Sequence, residues 1–124
     1  MIRILDFDAI SDECDYVINK ANIELICYGT YDKEYNSKPF VIHSFLASNI
    51  VKSKVENCYS IKNESYYAYE INGKIVDLAN KKVSLGDIYI LLDEKLPGDL
   101  KLGDYINFDV LRLDISFSWY CRHP

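Results

Sequence analysis

At 124 residues, nearly half of them apolar and 27% charged, the sequence is long enough for one domain with its own core and too apolar for a disordered chain. Nineteen acidic against fourteen basic residues give a net charge of −5, the wrong sign for a protein that tracks a nucleic-acid backbone by releasing counterions. No apolar run reaches the roughly 18 residues of a membrane span, and Asp6 and Asp8 interrupt the stretch where a signal peptide carries its apolar core, so a cytoplasmic protein with no membrane partner is expected.

Short apolar alternations between turn residues predict an all-β domain over 1–124 with at least six strands. The expected architecture is a small curled antiparallel sheet, a barrel or a sandwich, with an oligonucleotide-binding-like barrel among the options. Ile2–Phe7 reads as the first strand. The stretch 15–31 holds two short strands or one bent one, and 32–39 is polar and turn-rich. A strand over 40–51 shifts phase near Ser44, and 52–65 reads as a long loop or a loop with a short helix. Tyr66 to Ile71, then Asn72-Gly73, then Lys74 to Leu78 has the pattern of a hairpin on a type I′ turn. A two-residue loop would pair Ile71 with Lys74, Tyr69 with Val76 and Tyr67 with Leu78 on the core face. Tyr66, Glu70, Ile75 and Asp77 would then face out.

Gly86-Asp87 and Gly103-Asp104 each make a turn before an alternating strand, with Leu96-Pro97-Gly98-Asp99 as the turn between them. In the last strand Ile106, Phe108 and Val110 share one face, while Leu111, Leu113, Ile115 and Phe117 continue on the other. A bulge or sharp coil near Val110-Leu111 would keep all seven inside. The stretch 118–124, with the only Trp, departs from the rest and reads as either a strand extension or an extra binding tail.

Reactive groups are sparse. His43 lies in an apolar strand, and a Cys58–His43 dyad has nothing in the sequence to assemble it. Cys14, Cys27, Cys58 and Cys121 contain no C-x-x-C pair, so the usual zinc-chelating unit is missing and reduced, mainly buried thiols are expected. Phosphate-loop, dinucleotide, zinc-protease and EF-hand patterns are absent. The expectation is no catalytic residue, no metal and no cofactor.

Eleven Tyr and five Phe exceed what a core of this size needs. By strand phase, Tyr66, Tyr89 and Tyr105 point outward beside Glu70, Asp77, Asp109 and Asp114. Aromatic anchors among carboxylates suit a basic protein surface, so these seven are the candidate partner-binding residues. A second acidic group, Asp6, Asp8, Asp12, Glu13 and Asp15, is the reserve site. The lysines Lys52, Lys54, Lys62, Lys81 and Lys82 are interrupted by acids, which argues against nucleic acid as a partner.

Small, acidic, rich in Tyr, Ile, Lys and Asn and free of motifs, the chain resembles the bacterial immunity proteins that neutralise polymorphic or contact-dependent inhibition toxins. The resemblance lies in the character of the whole chain. It implies a cytoplasmic protein that binds a cognate toxin domain, often a basic nuclease, without catalysing a reaction. The alternatives are an oligonucleotide-binding-type module for single-stranded nucleic acid and an accessory subunit of a larger assembly.

Overall fold

A computed structural model describes residues 1–119, so the 120–124 part of the expected tail lies outside the described residues. The alternating segments form β1 (Ile2–Phe7), β2 (Glu13–Lys20), β3 (Ile23–Thr30), β4 (Phe40–Phe45), β5 (Ser48–Lys52), β6 (Ser60–Asn63), β7 (Tyr69–Asp77), β8 (Lys82–Leu85), β9 (Ile88–Leu91), β10 (Tyr105–Val110) and β11 (Arg112–Phe117). They make one sheet in the order β1-β2-β3-β11-β4-β9-β8-β7-β10-β5, with β6 beside β7. Most neighbours are antiparallel, as short connections require; β3 with β11 and β4 with β9 run parallel. The curled all-β sheet is as expected, but it is not closed into a barrel. Strands β1 and β5 end the order and do not pair with each other among the described residues, which sets aside the oligonucleotide-binding-like barrel.

A twisted sheet of this width curls until its ends face each other. Four strands separate β3 from β7 in the order, yet the Ile26 N–H of β3 donates to the Tyr69 hydroxyl of β7 at 2.8 Å. Inside the curl, Tyr16, Ile18, Leu25, Ile71, Ile75, Ile90, Ile106, Phe108 and Leu113 are 0% exposed. Each large apolar side chain so buried contributes about 1.5–3 kcal/mol. Tyr16 keeps its polar tip satisfied: its hydroxyl donates to the Thr30 carbonyl and accepts from the Asp32 N–H, both at 3.0 Å.

The expected hairpin at Asn72-Gly73 does not form. Strand β7 runs straight through both residues, with β10 on one edge and β6 followed by β8 on the other. The Asn72 side chain, buried in the strand, donates to the carbonyls of Cys58 at 2.8 Å and Val55 at 3.3 Å, tethering the preceding loop. A Cβ on Gly73 would stand 2.7 Å from the Ser84 carbonyl oxygen, so this glycine serves close strand approach and makes no turn. A straight strand keeps its parity where a hairpin reflects it. Ile75, expected to face out, is therefore in the core, and Val76 and Leu78 are exposed. The type I′ geometry occurs instead between β2 and β3, where Ala21 and Asn22 take φ of 52° and 67°.

Elsewhere the segments fall closer to expectation. The stretch 15–31 resolves into two strands, and 40–51 breaks after Phe45, one residue beyond the expected phase shift. Strand β6 occupies part of 52–65, where a helix was one expectation. Gly86, at φ 76°, turns β8 into β9. The chain also breaks between Val110 and Arg112, changing partners from β7 and β5 to β4 and β3. Six of the seven apolar residues in that run pack in or against the core, and Leu111 is turned out.

Candidate functional site

The acidic N-terminal cluster is shaped by its turn. The Asp8 carboxylate accepts the Ile10 N–H at 2.9 Å and the Ser11 N–H at 3.4 Å, and these bonds hold its pKa below the ordinary aspartate value. The turn leaves Ile10 99% exposed at its tip. Beyond it, a shift in the β1–β2 ladder places Asp6 opposite Asp15, two like charges where a sheet disfavours them. Asp6, Phe7, Asp8, Glu13, Asp15, Tyr28 and Tyr67 line a cleft of about 180 Å³.

Asp15 is 8% exposed, and its two oxygens are held from across the curl of the sheet. The Tyr67 hydroxyl donates to one at 2.6 Å and the Tyr66 hydroxyl to the other at 2.9 Å. Both tyrosines come from the loop before β7, so the clasp joins β2 to β7 across the curl. Burial, followed by the bond to Asp15, pushes the Tyr66 pKa up to about 12 and raises that of Tyr67 further. Both hydroxyls remain donors throughout the neutral range.

An aromatic strip continues from the clasp. Tyr66 meets Tyr67 edge-on at 4.7 Å, and Tyr67 meets Tyr28 edge-on at 6.2 Å. The Arg112 guanidinium lies between the rings of Tyr28 and Phe45, 4.4 and 4.3 Å from their centroids. It donates two hydrogen bonds to Asp114, at 2.5 and 3.1 Å. This cation is therefore neutralised by its own neighbour, and acid predominates among the described residues of the strip. Tyr28 and Glu13 line the same cleft, so strip and cleft adjoin, and the Glu13 carboxylate raises the Tyr28 pKa.

The seven residues expected to form one partner surface are divided. Tyr66 and Asp114 belong to the strip. Glu70 and Asp109 stand opposite each other on β7 and β10, and Asp109 accepts from the Asn49 side chain at 2.8 Å. Asp77 instead staples the turn after β7, accepting from the Asn80 backbone and side chain at 3.1 and 2.8 Å. Tyr89 lies under the Lys82 ammonium, 4.8 Å from its ring centroid, and Tyr105 packs on Tyr59 at 5.7 Å. Asp77 and Glu70 were expected on one hairpin face; with the strand straight, they sit toward opposite ends of β7.

Sequence reasoning placed Tyr67 in the core and omitted Phe7, Tyr28 and Arg112. Local density of charge did mark the Asp6–Asp15 cluster, but nothing local could bring Tyr67 to Asp15 from 52 positions away. His43 lies on β4 opposite Asp114, while Cys58 lies in the loop beside Lys52 and Asn72, in separate parts of the sheet. Among the described residues no group of three or more His, Cys, Asp or Glu is arranged to hold a metal ion. No family model, curated protein or solved structure matches the chain.

Proposed function

We propose that this is a non-catalytic binding protein of the toxin-immunity kind, acting in the cytoplasm on a basic toxin domain, with a nuclease as the favoured class. The observation that carries the reading is the clasp at Asp15. A buried carboxylate organises an exposed surface in which Phe7, Ile10, Tyr31 and Tyr66 are interleaved with Asp6, Asp8 and Glu13. Exposed aromatic and aliphatic anchors among carboxylates provide burial at the centre and complementarity to a cationic surface around it. A nuclease must carry cationic groups for phosphate, and an acidic face can occupy or flank them. The same carboxylates would repel a nucleic-acid backbone, which disfavours the single-stranded nucleic-acid alternative.

The test is genetic and then biophysical. Each open reading frame flanking the gene is expressed alone, and any toxic product is co-expressed with this protein. The expected result is survival together with an isolable equimolar complex whose association slows as salt shortens the Debye length below about 10 Å. Lys at Asp6, Asp8 and Glu13 together should abolish survival in a folded protein. Survival without a complex, or unchanged survival with the triple replacement, would refute the reading.

A further inference from the structure

We propose that the groove between the β4–β5 and β10–β11 corners receives a partner segment carrying an aliphatic or aromatic side chain flanked by lysine or arginine. This rests on the reading of the protein as a binder of a basic protein and names where the partner's apolar anchor goes. The groove has a volume of about 570 Å³, and Leu46, Leu111, Ala68 and Tyr69 line it together with Glu64 and Asp109.

Three observations support this occupant. Leu46 and Leu111 are 53% and 54% exposed on the two corners, where a soluble surface would ordinarily carry polar turn residues. Leu46 also takes φ 53°, a region that disfavours leucine and suits Gly or Asn. The Asp93 carboxylate secures that corner, accepting the N–H groups of Leu46 and Ala47 at 2.9 and 3.1 Å. An exposed leucine held in a disfavoured conformation points to a use for its side chain.

Charge supplies the second observation. Glu70 and Asp109 are directly opposed in the β7–β10 ladder, an arrangement that weakens a sheet. Lys62 flanks Glu70 from β6, yet neither carboxylate forms an ion pair among the described residues. Of the two, Asp109 lines the groove, and with Glu64 it leaves an acidic rim beside apolar walls, complementary to an apolar residue between cations. The third observation is continuity. Phe45, next to Leu46, stacks on Arg112, so the groove adjoins the acidic aromatic strip.

A displayed random-peptide library selected on the intact protein should enrich sequences with an aliphatic or aromatic residue flanked by Lys or Arg. A synthetic copy of the winner should shift the amide NMR signals of Leu46, Ala47, Ala68 and Leu111. Leu111→Glu, at an exposed position, should weaken that peptide about tenfold or more. Glu64→Lys should weaken it at low salt, and both variants should keep the wild-type melting temperature. No enrichment relative to Leu111→Glu, enrichment of acidic or purely polar peptides, or binding that maps to the Asp15 cleft would overturn the proposal. So would a self-associating chain whose dimer Leu111→Glu breaks. A toxic flanking product neutralised equally well by wild type and Leu111→Glu would sink the groove and spare the toxin reading; peptide binding in the groove with no such product would do the reverse.

Discussion

Removing one hydroxyl from the Asp15 clasp tests both the curl of the sheet and the surface built on it. In Tyr67→Phe the ring stays between Tyr66 and Tyr28, but a carboxylate that is 8% exposed loses a 2.6 Å donor. Charge-assisted bonds contribute about 1.5–3 kcal/mol, and a buried acceptor left without its donor finds little water in exchange, so a loss of about 2 kcal/mol is expected. Tyr66 is half exposed, and water replaces its hydroxyl; Tyr66→Phe should cost about 0.5 kcal/mol. Once Asp15→Ala has removed the acceptor, Tyr67→Phe should cost little more, giving a coupling of about 1.5 kcal/mol in the double-mutant cycle. Urea unfolding of the four proteins measures this, and the Tyr67→Phe melting temperature should fall by about 6–10 °C. A Tyr67→Phe loss under about 0.5 kcal/mol, or a coupling of zero within error, would refute the clasp.

Other outcomes follow from the same geometry. Asn72→Gly would be harmless in a type I′ turn, but here it removes the amide that tethers the exposed loop carbonyls of Val55 and Cys58 and puts a second glycine inside a central strand, so urea titration should show a loss of about 1–2 kcal/mol. In the pH–stability profile, burial raises the Asp93 pKa, but bonds from Ser44, Ala47 and Leu46 outweigh it and leave the net value low. That contribution is present above the unfolded aspartate pKa of about 3.9 and disappears as pH falls through the lower folded value; Asp93→Asn should flatten the acid limb of a melting-temperature profile. At the alkaline end, the raised Tyr66 pKa supplies stability that is complete below 10 and lost as pH rises toward about 12. Tyrosine absorbance should accordingly titrate late, and Asp15→Ala should bring that titration earlier. Asp77→Lys should leave partner association unchanged in a binding-rate measurement, because that carboxylate lines neither the Asp15 cleft nor the groove at Leu46 and Leu111.

Periodicity made much of this protein legible. Alternation of apolar and polar residues reports which face of a strand is buried, and that property is local. Accordingly Ile2–Phe7, the break after Phe45, the Gly86 turn and the change of phase at Val110–Leu111 agree with the pattern. The charge density of Asp6 to Asp15 was equally visible.

What a polar dipeptide does inside that pattern depends on what lies beside it. Asn72-Gly73 satisfies the chemistry of a turn and also that of a close-packed central strand. The choice fell to the second because β10 and β8 approach from both sides and loop carbonyls await the Asn72 amide. That choice reversed the faces of Ile75 and Val76 and separated Glu70 from Asp77. The candidate site was likewise decided at long range: Tyr66 and Tyr67 reach Asp15 because the sheet curls, and Arg112 reaches Tyr28 and Phe45 because β11 is paired between β3 and β4. By itself the sequence determined the all-β character, the charge sign, the strand Ile2–Phe7 and the change of phase at Val110–Leu111, since each arises from neighbouring residues. Tertiary structure alone decided which acids share a surface, because the free energy that joins them comes from burying two distant ends of one sheet against each other.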